Sequence, residues 1–344
     1  MTSTDQAHAV LFQKKNFLEH TRGNEKGISA PYTTTLADGT RALLLDTGIL
    51  QLEPANGSDK NIVISAGVHG NETAPIEIVD NMVRSILTMA TPIRNRTLFI
   101  IGNPVAMNMG QRFDIENLNR LFCGKHEKLN HHEAVRAGIL ENAVSDFFGK
   151  NDSNARYHYD LHTAIRGSKH EKFFIYPYPD GRSWDKAQLQ FFLAAEINTA
   201  LLGHRPASTF SYFSSHFFKA HAFTVELGQV KPFGQNDMAK FEAITRNLTL
   251  LISGGDIPLQ PYSDENFHLF RVKTELIKRS DTFRLNFADG ADNFSTFKKD
   301  FQLTEDTDGG YHVENDGEAI VFPNTNVPIG QRAGLVVERT QLDP

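Results

Sequence analysis

Residues able to bind a metal or move a proton recur at what read as the ends of strands. In Ser65-Ala66-Gly67-Val68-His69-Gly70-Asn71-Glu72-Thr73, His69 and Glu72 follow an apolar run and precede a helical pattern. Ligands of open α/β sheets gather at such positions. Gly67 and Gly70 flank the histidine and permit a tight backbone path. Alone, the pair reads better as a turn histidine with an acidic residue stabilising a helix N-terminus. The segment His158-Tyr159-Asp160-Leu161-His162-Thr163 shifts that balance, because side chains two apart on a strand share a face. His, Glu and His, with a position left for water, is a recognised ligand set of catalytic zinc. His69, Glu72 and His162 would supply it. Asp160 is then the carboxylate to receive the other N–H of a ligating imidazole, or else a loop-facing cap.

Two further segments extend the chemistry. Phe223-Thr224-Val225-Glu226-Leu227-Gly228 sets one carboxylate in an apolar strand, where leaving it charged and unpartnered costs on the order of several kcal/mol. Beside a metal-activated water, Glu226 could take a proton and return it to a leaving nitrogen; a strand-end salt bridge is the alternative. Arg112 and Arg120 stand eight residues apart with Asn119 between them. Guanidinium forks suit carboxylates, so the three could hold a multiply anionic small molecule; a solvated loop is the plainer reading. Cys123, in no motif-like context, reads as packing. His131, His132, His170, His216 and His221 read as surface or hydrogen-bonded structural residues.

The elements that must position these groups alternate. From about Arg41 to Asp256, short β-branched runs alternate with segments of helical period, the pattern of an α/β sheet covered by helices. Ile62–Ala66, Leu98–Ile101 and Ala222–Val225 are nearly continuous in apolar residues, as strands buried on both faces must be. Ile76, Val79, Val83 and Ile86 mark one covering helix, and Ala134 to Phe148 another. Further helices are expected over Lys186–Leu202 and Asn236–Leu251, the latter closed by Gly254-Gly255. Beyond Asp256 the texture turns to short alternating segments (Phe270–Lys273, Phe283–Phe287) broken by Asp289-Gly290, Gly309-Gly310 and Asp316-Gly317. A catalytic domain over 1–255 and a small β domain over 256–344 follow.

Bulk properties remove other classes. The 344 residues are 40% hydrophobic and 22% charged, with a net charge of −6. No global positive field exists to draw in nucleic acid or anionic lipid. Runs such as Asn61–Val68 fall far short of the roughly 18–20 residues that span a bilayer. One cysteine cannot form an internal disulfide, and Asp5, Lys14 and Lys15 interrupt any apolar leader over Met1–Phe17, which suits a reducing cytoplasm.

Taken together, His69-Gly70-Asn71-Glu72, Asn119-Arg120, Asp160-Leu161-His162 and Glu226-Leu227-Gly228 resemble, in order and spacing, the succinylglutamate desuccinylase and aspartoacylase family. These are zinc hydrolases on the zinc-carboxypeptidase fold. Asp46-Thr47-Gly48, the run Asp160 to Ser168, Pro232 to Asp237, Val321 to Asn324 and Gly330 to Gly334 look like its succinylglutamate branch. The resemblance implies a mixed sheet covered by helices, with a smaller C-terminal β domain that lines or narrows the entrance. It implies hydrolysis of N-succinyl-L-glutamate to L-glutamate and succinate, the last step of the arginine succinyltransferase route. A related zinc deacylase or carboxypeptidase acting on another N-acyl amino acid is the alternative. It also implies one zinc per chain on His69, Glu72 and His162, and Glu226 as proton carrier. Arg112, Asn119 and Arg120 would contact substrate, with Arg112 nearest the scissile carbonyl and Arg166 a further candidate.

Overall fold

The structure is a computed structural model that describes residues 11–149 and 154–342; Asp5 lies outside them. Its strands are β1 Tyr32–Thr35, β2 Arg41–Asp46, β3 Ile49–Glu53, β4 Lys60–Ala66, β5 Arg96–Ile101, β6 Ala155–Ala164, β7 Phe173–Tyr176 and β8 Thr199–Leu202. They continue with β9 His221–Gln229, β10 His268–Ile277, β11 Arg284–Leu285, β12 Ser295–Thr296, β13 Thr304–Glu305, β14 Ala319–Val321 and β15 Arg332–Arg339. All but β11 and β13 join one sheet, in the order β1-β2-β3-β5-β4-β6-β9-β7-β8-β10-β15-β14-β12. The centre, β5-β4-β6-β9, is parallel. β7 runs antiparallel to β9, so the sheet is mixed.

Helices cover the central strands, which are almost wholly buried in β4, β5 and β9. Helix α1, Thr73–Leu87, buries Ile76, Val79, Val83 and Ile86 against one face. On the other face, α2 (His132–Gly149) contributes Leu140, Val144, Phe147 and Phe148 to a cluster with Val63, Leu98 and Ile100. That periodicity is what a covering helix requires.

Two elements differ from expectation. The helix begun at Lys186 (α3, Lys186–Ala194) stops early because Glu196 turns to a φ of +60°, and Thr199–Leu202 becomes β8. Its four residues are buried between β7 and β10, where only a strand can satisfy backbone groups on both sides. The helix expected from Asn236 begins instead at Glu242, after a single tight turn over Met238–Phe241. Helix α4 (Phe210–Phe218) packs on β6 and β9, and α5 (Glu242–Ser253) ends on Gly254 at a φ of +72°. Beyond Asp256, β10, β15, β14 and β12 extend the main sheet, so hydrogen bonding is continuous across that segment. Among the described residues no helix is long and apolar enough to cross a membrane.

One glycine fixes how the strand-end turn sits. A Cβ on Gly70 would lie 2.2 Å from both the Ala106 carbonyl carbon and the Met107 nitrogen, so two backbones touch here. Gly70 N also donates to the Arg112 carbonyl at 3.1 Å. Gly70→Ala should therefore force a backbone shift and lower stability by about 1–3 kcal/mol, read from denaturant midpoints of metal-free protein. An unchanged midpoint would mean the turn is not held this tightly.

Candidate active site

The central strands bring the chemistry to one edge. β4 ends at Ala66, and His69 and Glu72 lie in the turn between it and α1. β6 runs beside β4 with Asp160 opposite Ser65, and beside β9 with His162 opposite Glu226. Groups from three segments far apart in sequence thus meet because three parallel strands share a register.

Glu72 sits between the two imidazoles. Its Oε1 lies 2.9 Å from His69 Nδ1 and its Oε2 2.9 Å from His162 Nδ1, while the two Nδ1 atoms are 3.2 Å apart. Thr163 N donates to Oε2 at 3.1 Å and Arg112 Nη1 to Oε1 at 2.5 Å. Each outer ring nitrogen faces an oxygen acceptor: His162 Nε2–H donates to Asp160 Oδ2 at 2.8 Å, and His69 Nε2–H to Asn117 Oδ1 at 3.0 Å. That fixes the tautomer of neutral His69 and turns its Nδ1 lone pair toward Glu72 Oε1 and His162 Nδ1. Acceptor atoms aimed at a common point, all within 4.8 Å of one another, could hold a metal ion. The donor set fits such an ion, because the buried carboxylates of Glu72 and Asp160 call for a positive charge between them.

The titration behaviour follows from burial and charge. Burial holds neutral His69 down to about 4 against the pull of Glu72. For His162 burial acts the same way, but Asp160 and Glu72 overcome it and raise the imidazole well above its usual value. Burial alone would raise Glu72; His69 and His162 keep it ionised, well below the usual carboxylate range. A metal ion would replace the His162 proton. Behind this group, Ser214 Oγ, His158, Ser65 Oγ and Asp160 form a buried chain, with contacts of 2.7, 2.8 and 2.5 Å. It leaves the second Asp160 oxygen for His162.

Glu226 is only 8% exposed, and its Oε2 has no hydrogen-bond partner among the described residues. Burial pushes its carboxyl up to about 7, Glu72 and Asp160 adding to the effect while His162 and Arg112 oppose it. A carboxyl of that strength passes a proton both ways near neutrality.

The remaining candidates occupy distinct places. Arg112 is bound to Glu72. Asn119 is buried, its Oδ1 accepting from Phe210 N at 2.9 Å, which leaves Nδ2 as the group it could offer a ligand. Arg120 is exposed and, among the described residues, its guanidinium bonds only to the Asn119 carbonyl at 2.8 Å. Arg166 donates to the Asp289 carbonyl in the C-terminal segment, rather than to any member of the His-Glu-His group. Cys123 packs against the cluster around Phe122, and burial with Glu141 pushes its thiol up to about 12.

Two residues had no sequence signal. Asn117 orients His69 and also accepts from Asn119 N at 3.0 Å. Glu133, fully buried at the start of α2, accepts from Asp114 N, Ile115 N and Glu116 N at 2.8, 3.0 and 2.6 Å, holding the loop that carries both arginines.

A helix-covered α/β sheet with a candidate metal group and a neutral-range carboxyl at its strand ends has the parts that hydrolysis of an amide requires. Residues 58–252 match the succinylglutamate desuccinylase/aspartoacylase catalytic domain, and residues 265–340 the AstE/AspA barrel-sandwich hybrid domain. The chain is 46% identical to a succinylglutamate desuccinylase of Pseudoalteromonas atlantica, covering 97% of each, and 45% identical to one of Idiomarina loihiensis, covering 94% of this chain and 96% of that one. It superposes on the structure of a succinylglutamate desuccinylase from Vibrio parahaemolyticus with a TM-score of 0.86 at 37% identity, covering 95% of each chain. A second such structure, from Chromobacterium violaceum, gives 0.84 at 37% identity, covering 96% of this chain and 99% of that one. The chain belongs to the succinylglutamate desuccinylase/aspartoacylase family.

The raised Glu226 pKa has a measurable consequence in metal-free protein. The folded state holds a proton on Glu226 up to about 7, whereas an unfolded glutamate releases it near its ordinary value of roughly 4.3. Between these values the folded state binds more protons, so this residue's contribution to stability falls as pH rises. Glu226→Gln should thus gain stability over wild type progressively from about pH 5 to 7, reaching on the order of 2 kcal/mol. A stability difference that stays constant with pH would contradict the buried, unpartnered carboxyl.

Proposed function

We propose that the protein hydrolyses N-succinyl-L-glutamate to succinate and L-glutamate, with one zinc per chain held by His69, Glu72 and His162. The observation that carries this reading is the unpartnered Glu226 Oε2 in the strand position opposite His162. Zinc, when bound, lowers the pKa of a water and polarises an amide carbonyl. Glu226 receives the proton of the attacking water at Oε2. As the water oxygen bonds to the succinyl carbonyl carbon and the C–N bond breaks, Glu226 delivers that proton to the departing glutamate nitrogen. Arg112, next to Glu72, is suited to the oxygen of the reacting carbonyl. Asn119 Nδ2 and Arg120 supply donors for substrate carboxylates. Asp160 and Asn117 keep the two imidazoles aimed, acting through the ligands rather than on the substrate.

The substrate carries three carboxylates, and a chain of net charge −6 must meet it with a local cluster of arginines. The reading assigns the reaction to the end of the arginine succinyltransferase route, in the cytoplasm, which a lone, packed cysteine supports.

Two measurements test it. Chelation should abolish turnover of N-succinylglutamate and zinc should restore it, while His162→Ala should lose most of its zinc; full turnover without metal would sink the proposal. Glu226→Gln should retain zinc and bind substrate while kcat falls by roughly 10²–10⁴. A variant turning over at the wild-type rate would make Glu226 structural and require another base.

A further inference from the structure

His158, Asp160 and His162 are alternate residues of β6 and share one face of the strand. Two of them serve the candidate metal group directly. His158 lies one step deeper, wholly buried, with its ring edge-on to Phe210 at 4.7 Å between centroids. Both of its ring nitrogens are engaged, by hydroxyls from two different elements. Nε2 is 2.8 Å from Ser65 Oγ on β4, and Nδ1 is 2.7 Å from Ser214 Oγ on α4. Both serines are as deeply buried as the histidine.

The direction of each bond follows from the end of the chain. The histidines beside Asp160 keep its carboxyl ionised in spite of burial, so it accepts, and the single hydroxyl hydrogen of Ser65 points to Asp160 Oδ1 at 2.5 Å. Ser65 Oγ must then accept from His158, which puts the ring proton on Nε2. Burial brings the His158 pKa down to about 4 against the pull of Asp160, so the ring is neutral and its bare Nδ1 accepts from Ser214. All three hydrogens therefore point from α4 toward Asp160. Bonds aligned head to tail polarise one another.

At the other end, Asp160 Oδ2 accepts from His162 Nε2 at 2.8 Å, and His162 Nδ1 faces Glu72. Among the described residues, Ser65 and His162 are the hydrogen-bond partners of the Asp160 carboxylate. Whatever fixes Ser65 thus fixes how that carboxylate presents its second oxygen to the imidazole.

We propose that His158 is a positioning residue for metal binding: through Ser65 and Asp160 it holds His162 in the orientation that turns Nδ1 to the ion. The proposal rests on the metal assignment made above. His158 touches neither ion nor substrate, and α4, through Ser214, becomes part of the support of a metal ligand.

The test measures zinc affinity of metal-free full-length protein by competition with a chelator, together with Tm. Wild type is compared with Ser65→Ala, His158→Phe, His158→Gln, Ser214→Ala and His162→Ala. Ser211→Ala is the control, since Ser211 is another buried hydroxyl on α4 and bonds Thr224 Oγ1 outside the chain, at 2.8 Å. Ser65→Ala and His158→Phe should each weaken zinc by about tenfold, with Ser211→Ala unchanged. His158→Gln, which loses the ring but keeps a donor for Ser65, should bind zinc more tightly than His158→Phe. A role in packing alone predicts the reverse order, because phenylalanine keeps the ring against Phe210. The two serine variants decide the matter should the histidine variants fold poorly. Nitrogen NMR of the His158 ring in metal-free wild type should show the proton on Nε2.

Zinc affinities within twofold of wild type in Ser65→Ala and every folded His158 variant, while His162→Ala loses zinc, would overturn the role of His158 alone, as would a ring proton on Nδ1. Wild-type zinc affinity in His162→Ala would instead remove the metal assignment on which the proposal rests.

Discussion

The structure depends on one buried ionised carboxylate. Glu72, removed from water, is held between the Nδ1 atoms of His69 and His162 and capped by Arg112 and the Thr163 amide. Isolated, such a charge would not survive burial. Every surrounding feature either compensates it or fixes its partners. Asp160 holds His162, Asn117 holds His69, and the chain through Ser65, His158 and Ser214 holds Asp160. Glu226 is the exception, a buried carboxyl with no partner for Oε2, and its protonation near neutrality follows from that.

The sheet makes this arrangement possible. In β4, β6 and β9 a slip of one residue would turn Asp160, His162 and Glu226 to the opposite face. Apolar packing of α1 on one side and α2 on the other prevents the slip. The loop bearing Arg112, Asn117, Asn119 and Arg120 has no ladder to hold it. Glu133 stands in by accepting three successive backbone N–H groups, a function of buried carboxylates that leaves charged loop side chains free for a ligand.

How much of this was legible in the sequence depended on whether the signal was local. Three of the central strands could be read because burial on both faces leaves a continuous apolar run, and His69, Glu72 and Glu226 stood out as polar residues in or just after such runs, whereas His162 was found from its two-residue spacing to Asp160 on one strand face. β8 was hidden because Thr199–Leu202 follows a helix with no glycine or proline between, the break falling on a left-handed Glu196. Asn117 and Glu133 were invisible because each matters through a contact that periodicity does not encode: 48 residues separate Asn117 from His69. The β character beyond Asp256 was legible from its alternation and paired glycines; that its strands continue the main sheet was not, since strand partners are chosen by tertiary packing.

The central claim concerns where a single metal ion lies and what surrounds it. Diffraction data recorded above and below the zinc absorption edge, from crystals of the zinc-loaded protein, would locate the ion without reference to activity. One anomalous peak per chain should lie about 2.0–2.2 Å from His69 Nδ1, His162 Nδ1 and a Glu72 carboxylate oxygen, with Glu226 facing the open side. A peak bound by other residues, or none at this group in protein that turns over substrate, would contradict the assignment.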